Sequence, residues 1–227
     1  EYKKLDNRII LINNKKNLGL TQSLKIAIKK AHGTFIARQD ADDFSFPQRF
    51  EKQINYFNSY TECVLVGTWF NIVYNDQRIQ KKFKNDNQYL KNRFYLSNPY
   101  CHASTMFKKE YYDLVDGYNE IYKTSQDLDL WFKLSTVGKI GIVEEILVDR
   151  FVIKKNLTLR KGWSQVINSL KIRVFNEKIS SYYLIFLYTF IGFLYHVLIT
   201  IFPHPVINYI KIFISKSFNI LHTNDVL

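Results

Sequence analysis

Three carboxylates lie within four residues, at Asp40, Asp42 and Asp43, shortly after the apolar run 34–37 (TFIA). The run predicts a β-strand, so the carboxylates lie at the exit of that strand. Like charges this close repel one another unless a cation holds them. Mg²⁺ and Mn²⁺ prefer such oxygen ligands and share them with substrate phosphates. The cluster therefore predicts a metal–diphosphate site, with a solvated Asp-rich turn as the alternative.

The segment that leads to this cluster alternates between strand and helix patterns. Residues 8–13 and 34–37 read as strands, and residues 19–31 have the apolar spacing of a helix. Such alternation predicts a parallel α/β sheet that binds its ligand at the carboxyl ends of the strands. Further along, the pattern predicts helices over 47–57, 110–114 and 125–137, a polar loop with a short helix over 81–98, and strands over 63–74, 105–107 and 140–148.

Composition excludes a disordered chain, because 47% of the 227 residues are hydrophobic and 16% are aromatic. The two cysteines, Cys63 and Cys101, lie too far apart to suggest a metal pair or a disulfide framework. We expect both to be buried and inert, in a reducing compartment.

The C-terminal part of the chain combines basic charge with a long apolar run. Residues 151–227 carry nine Lys or Arg and two Asp or Glu, whereas residues 179–210 carry no charged residue at all. As a helix, residues 182–202 would be about 31 Å long, close to the hydrocarbon thickness of a bilayer. Basic residues that flank an apolar run suit an anionic membrane surface better than nucleic acid. We therefore expect residues 180–221 to associate with a membrane, either spanning it or lying in its interface.

Several ordered motifs in this sequence are similar to those of one enzyme family. They are residues 17–20 (NLGL), 31–43 (AHGTFIARQDADD), 47–50 (PQRF), 98–107 (NPYCHASTMF), 117–120 (GYNE) and 126–131 (QDLDLW). Together they resemble glycosyltransferase family 2 over residues 8–155. The resemblance implies a GT-A fold, a Rossmann-like α/β sheet with helices on both faces. It also implies transfer of a sugar from a nucleotide-diphosphate donor with inversion, and it implies that the family's first strand–helix–strand unit is absent from this chain.

The resemblance also implies roles on the donor side of the site. Asp42, with Asp40 nearby, would bind the Mn²⁺ or Mg²⁺ that bridges the donor's diphosphate. Arg38, Asp40 and Asp42 would bind the nucleotide-sugar, most naturally a UDP-sugar. For Arg38, a phosphate contact and a surface ion pair with the Asp cluster remain equal alternatives.

On the acceptor side, the resemblance makes Asp127 the general base, although Asp at a helix N-terminus also suits a cap. The family usually has Glu where this chain has Gln126. His102 would lie near the donor phosphate or the acceptor, or else be a hydrogen-bonded structural residue. Trp131 would be a core residue or an acceptor platform.

These expectations divide the chain into an incomplete GT-A catalytic domain (1–150), a basic connector (151–179) and a membrane-associating tail (180–221). The expected function is sugar transfer to a lipid-linked saccharide during cell-surface polysaccharide synthesis, at the cytoplasmic face of the inner membrane. One alternative is a truncated, catalytically inactive remnant of such an enzyme. The other is a basic membrane-binding module.

Overall fold

The computed structural model describes residues 2–75, 77–152 and 162–176. In this part of the chain the helices are α1 (Tyr2–Leu5), α2 (Leu20–Lys30), α3 (Arg49–Ser59), α4 (Asn87–Leu96), α5 (Lys109–Leu114), α6 (Gln126–Val137) and α7 (Gly162–Phe175), with a 3-10 turn at His102–Ser104. The strands are β1 (Phe35–Ala37), β2 (Phe44–Ser45), β3 (Cys63–Tyr74), β4 (Gln77–Lys81), β5 (Met106–Lys108) and β6 (Lys139–Phe151).

The strands form one mixed sheet in the order β1-β5-β3-β6-β2, with β4 paired to β3. Only the β3–β6 pair is parallel among the described strands, and the others are antiparallel. The prediction of a parallel sheet was therefore wrong. Alternation of strands and helices predicts parallel strands only when strands that are consecutive in sequence lie side by side in the sheet. Here β1 instead pairs with β5, about 70 residues later. Through β5, however, β1 runs in the same direction as β3 and β6, so the carboxyl ends of these three strands point the same way.

The strand predicted at residues 8–13 is not formed. Ile9, Ile10 and Leu11 are 40%, 50% and 63% exposed, and they pair with no strand in the described segments. A β-strand is stable only beside a hydrogen-bonding neighbour, and an apolar sequence alone does not supply one.

The long strands β3 and β6 form the centre of the sheet, where Leu65, Val66 and Ile142 are fully buried. Successive side chains enter opposite clusters: Phe107 packs with the residues of α4 and α6, whereas Met106 packs with Phe57 of α3. Helices therefore cover both faces, as predicted. The nearly continuous apolar runs of β3 and β6 follow from this burial on both sides.

Both cysteines are free and buried, as expected. Burial raises the pKa of the Cys63 thiol to about 12 and that of Cys101 to about 11. Neither thiol is therefore ionised near neutral pH, which suits two inert core residues.

The stretch predicted as a connector contains a helix that was not predicted, α7. Its Ile172 and Arg173 are buried, and Arg173 Nε donates to the carbonyl oxygen of Phe94 at 2.7 Å. Of the helices in the described segments, none is long and apolar enough to cross a bilayer. The tail predicted at 180–221 lies outside the described residues.

Candidate active site

The loop after β1 carries the Asp cluster, and Arg38 lies at its start. Arg38 Nε donates to Asp40 Oδ1 at 2.7 Å, and Arg38 Nη2 lies 2.5 Å from the same oxygen. The Arg38 side chain is only 11% exposed, whereas that of Asp40 is 32% exposed, so this ion pair is partly buried. Arg38 Nη1 is also buried and has no hydrogen-bond partner among the described residues. The guanidinium therefore satisfies Asp40 and keeps a donor for a further acceptor.

The other two carboxylates of the cluster differ in their surroundings. Asp42 is exposed and makes no hydrogen bond or ion pair with the residues that the structure describes. Asp43 Oδ1 accepts the main-chain N–H of Phe151 at 3.1 Å, which ties the loop to the end of β6. Burial raises the pKa of Asp43 to about 6, and the charges of Asp40 and Asp42 add to that rise.

Arg49 of α3 is buried and holds this loop in place by hydrogen bonds. It is 1% exposed, and its Nη1 donates to Gln39 Oε1 and Ser45 Oγ at 3.1 and 2.7 Å. Its Nη2 donates to the carbonyl oxygens of Arg38 and Thr105 at 2.7 and 3.2 Å. Burial lowers the pKa of Arg49 to about 10, so the side chain stays charged at neutral pH. A buried guanidinium with neutral acceptors thus fixes the base of the loop.

Gln39 joins this support to the acidic turn. Its Nε2 donates to the carbonyl oxygens of Asp40 and Asp43 at 2.9 and 2.8 Å, while its Oε1 faces Arg49. The backbone that presents the three carboxylates is therefore held by a chain of side-chain hydrogen bonds.

Asp127 lies in the first turn of α6, where the sequence predicted it. Its Oδ2 accepts from Asn98 Nδ2 at 2.8 Å. Burial raises the pKa of Asp127, while the main-chain N–H groups of Leu128 and Asp127 and the charges of Arg38 and Arg150 oppose that rise. A carboxylate with a raised pKa suits a general base better than a carboxylate held only as a helix cap.

Ser125, the residue before helix α6, makes no side-chain cap hydrogen bond to the helix. Ser125 has a left-handed backbone with φ of 60°, and its hydroxyl donates to the carbonyl oxygen of Gln165 at 3.3 Å. A left-handed conformation is uncommon for a residue other than glycine. The Ser125 hydroxyl thus contacts α7 instead of capping α6.

His102 and Trp131 lie side by side behind the site. His102 Nε2 lies 2.7 Å from Tyr118 Oη, and burial together with the charge of Arg38 lowers the pKa of His102 well below its ordinary value. The imidazole is therefore neutral. Trp131 is fully buried and packs edge-on against His102, with ring centroids 5.7 Å apart. It has no exposed surface to offer an acceptor in this structure, so core packing is the role that remains.

Arg150, at the carboxyl end of β6, is a site residue that the sequence did not reveal. It is exposed, and its charge lowers the pKa of both Asp43 and Asp127. Arg38 likewise lies against Asp40 and lowers the pKa of Asp127. The Asp43–Phe151 bond brings the loop after β1 to the end of β6, so the charges of Arg38 and Arg150 act on the carboxylates of the Asp cluster and of Asp127. An arginine at the end of a buried strand was the available signal.

The cluster fits a metal shared with a ligand better than a closed metal cage. Within the described ranges, no three His, Cys, Asp or Glu side chains form a metal-ligand group. Mg²⁺ is, however, commonly held by one or two carboxylates together with substrate phosphates and water. The exposed carboxylate of Asp42, with Asp40 close to it in the same turn, meets that requirement.

Comparison with known proteins places this chain in a family. The family model described as glycosyl transferase family 2 matches residues 1–115, half of the chain. The chain belongs to glycosyltransferase family 2. An uncharacterized glycosyltransferase of Methanocaldococcus jannaschii is 31% identical over 187 residues, which cover 81% of this chain and 60% of that protein. The amylovoran biosynthesis glycosyltransferase AmsE of Erwinia amylovora is 24% identical over 72% of this chain and 62% of AmsE. The chain thus spans somewhat under two thirds of the length of these relatives.

Solved structures support the fold. The crystal structure of S. aureus TarS 1–349 in complex with UDP-GlcNAc superimposes with a TM-score of 0.54 and 13% sequence identity. The match covers 73% of this chain and 50% of the TarS chain. This likeness shows that the mixed sheet with helices on both faces is the GT-A architecture.

Proposed function

We propose that this protein transfers a sugar from a nucleotide-diphosphate donor to a saccharide acceptor with inversion. The observation that carries the proposal is the position of Arg38, which pairs with Asp40 at 2.7 Å and also lowers the pKa of Asp127. One guanidinium thus links the acidic cluster to the carboxylate that would act as the base. Donor binding and proton removal need such proximity.

On the donor side, the proposed ligands of the diphosphate are the two arginines and a metal. Arg38 Nη1 lacks a partner among the described residues, and exposed Arg150 adds a second cation beside the cluster. Asp42 and Asp40 would hold Mn²⁺ or Mg²⁺. When bound, that ion would neutralise charge that develops on the leaving diphosphate.

On the acceptor side, Asp127 would remove the proton of the attacking hydroxyl group. The hydroxyl oxygen forms the new bond to the anomeric carbon as the bond from that carbon to the diphosphate breaks, so a single displacement inverts the configuration. The raised pKa of Asp127 brings its proton affinity closer to that of a base that works near neutral pH. Gln126, buried beside it, keeps the shape of the family's usual Glu but adds no second charge.

Similar proteins suggest the substrates. TarS was crystallised with UDP-GlcNAc, which supports a UDP-sugar as the donor. AmsE is named for amylovoran biosynthesis, which supports a role in polysaccharide synthesis. We further propose that the acceptor is lipid-linked and that residues 180–221 bring the site to the cytoplasmic face of the inner membrane.

The donor site is tested by calorimetry of UDP binding to the whole chain in detergent with Mn²⁺. We expect binding that EDTA abolishes and that Asp42→Ala abolishes. Asp113→Ala is the matched control, because Asp113 is an exposed carboxylate on α5 that pairs with Lys109 at 3.4 Å, away from the acidic turn in sequence. Binding that survives both EDTA and Asp42→Ala would contradict the metal–diphosphate site. A folded chain that binds none of UDP, GDP and dTDP would favour the inactive remnant.

A further inference from the structure

Asn98 makes a direct contact with the proposed base. Its Nδ2 donates to Asp127 Oδ2 at 2.8 Å, across 29 residues of sequence. It is the only side-chain hydrogen bond that Asp127 receives from the described residues. Asn98 lies in the loop between α4 and the 3-10 turn, whereas Asp127 lies on α6.

The orientation of the Asn98 amide is fixed by its other end. Asn98 Oδ1 accepts the main-chain N–H of Tyr100 at 3.1 Å, which closes a turn over Pro99. A flipped amide would place its NH₂ group against that N–H and its oxygen against the Asp127 carboxylate. The amide therefore has one favourable orientation, with its donor toward Asp127.

The loop that carries Asn98 is itself anchored in the core. Tyr100 is 4% exposed, its Oη donates to the carbonyl oxygen of Gly141 at 3.1 Å, and its ring packs edge-on against Trp131 of α6. A Cβ on Gly67 would lie 2.3 Å from Tyr100 Cδ1, so the absence of a side chain at Gly67 makes room for this ring. Asn98 and Asp127 are thus held against one another by the packing of Tyr100 and Trp131.

Charged and titratable groups face Asp127 from three other parts of the fold. Arg38 lies after β1, Arg150 lies near the end of β6, and Tyr118 precedes α6. The two arginines favour the ionised carboxylate by their charge. Asn98 instead contacts one oxygen of the carboxylate directly.

We infer that Asn98 is a positioning residue for Asp127: it binds Oδ2, favours the ionised carboxylate, and holds that carboxylate in the orientation in which it accepts the proton of the acceptor hydroxyl. The inference rests on the proposed role of Asp127 as the base. Many catalytic bases are oriented by a hydrogen bond from a further residue, and the inference assigns that role to Asn98.

The test measures the pKa of Asp127 by carbon NMR. The whole chain is labelled with ¹³C at the carboxyl carbons of its aspartates, and the signal that disappears in Asp127→Asn is assigned to Asp127. Asn98→Ala should raise the pKa of Asp127 by about one unit, because a donor to the ionised form is lost. Asn17→Ala is the control, because Asn17 Oδ1 accepts the N–H of Gly19 at 2.9 Å in a similar turn far along the chain. Coincident titration of Asp127 in wild type and Asn98→Ala overturns the inference.

A second variant keeps the test decisive if Asn98→Ala fails to fold. Asn98→Asp retains the acceptor for the Tyr100 N–H but places a carboxylate against Asp127, so the pair should titrate with one apparent pKa raised by more than about one unit. No rise in that variant likewise overturns the inference.

Turnover separates this inference from the proposed function. With UDP-GlcNAc and Mn²⁺, Asn98→Ala should slow UDP release about 10²-fold at unchanged KM for the donor. If Asp127→Asn releases UDP at the wild-type rate, the proposed function is overturned. If Asp127→Asn loses UDP release but Asn98→Ala releases UDP at the wild-type rate, only the inference about Asn98 is overturned.

Discussion

Arg49 Nη2 donates to the main-chain carbonyl oxygen of Arg38 at 2.7 Å, so a buried cation holds the backbone of the residue that pairs with Asp40. The same guanidinium reaches Gln39 and Ser45. The loop that carries the donor-side carboxylates is thus supported by α3, through a residue that would not itself touch the substrate.

Arg49→Lys should therefore weaken both the fold and donor binding. Lysine keeps the charge but cannot make the forked contacts, which leaves buried carbonyl groups unpaired and costs about 2–4 kcal/mol of unfolding free energy. Urea unfolding and UDP–Mn²⁺ calorimetry measure the two effects. Arg8→Lys is the control, because Arg8 also makes a forked contact, to Asp6, but is 86% exposed. Equal stability of Arg49→Lys and wild type would contradict a supporting role.

Asp127→Asn should stabilise the protein near neutral pH. Because burial raises the pKa of Asp127, the native state binds this proton more tightly than the unfolded state, so the ionised carboxylate costs stability as pH rises above the unfolded pKa. An amide at this position still accepts the Asn98 N–H. Each kcal/mol relieved should raise the melting midpoint by about 2–4 °C at pH 7. The gain should vanish at pH 3, where both states are protonated; a gain of equal size at both pH values would contradict this account.

Arg150→Gln should weaken UDP–Mn²⁺ binding by about tenfold, because a charge-assisted contact to phosphate is lost. Lys52→Gln offers a matched control: Lys52 is an exposed cation paired with Glu145 of β6 at 2.9 Å, away from the cluster. Equal affinities of Arg150→Gln and wild type would remove Arg150 from the donor site.

The sequence predicted those parts of the fold that depend on local pattern. The apolar runs of β3 and β6, the spacing of α2 and α6, and the acidic turn were all visible in it. The direction of the strands was not visible, because β1 pairs with β5, which lies about 70 residues later in the sequence. β2 has only two residues and is too short to show a pattern, and the polar β4 lacked an apolar signal. Residues 8–13 had the apolar signal but no neighbouring strand in the part of the chain that the structure describes.

In the candidate site, too, the features that depend on local sequence could be predicted and those that depend on distant contacts could not. Asp40, Asp42 and Asp127 could be found from motifs, since each keeps its place relative to a strand end or a helix start. The roles of Arg49, Asn98 and Arg150 depend on contacts across 11 to 108 residues of sequence, such as the Asp43–Phe151 bond that brings β6 to the acidic turn. No spacing in the sequence encodes such contacts.

Gly67→Ala should destabilise the site as well as the core. The new methyl group would lie 2.3 Å from Tyr100 Cδ1, so the ring must shift, at a cost of about 1–3 kcal/mol. Because Tyr100 anchors the Asn98 loop, the carboxyl signal of Asp127 should titrate at higher pH as well. Thermal unfolding and the NMR titration check the two effects, and an unchanged melting midpoint would contradict the packing described here.

The most direct test of the central claim compares UDP binding and UDP release in three proteins: wild type, Asp42→Ala and Asp127→Asn. Each is measured with Mn²⁺ and a panel of UDP-sugars. A single site with a metal–diphosphate cluster and a base predicts that Asp42→Ala loses both binding and release. It predicts that Asp127→Asn keeps binding but releases UDP at least about 10²-fold more slowly. Release by Asp127→Asn at the wild-type rate would contradict the account.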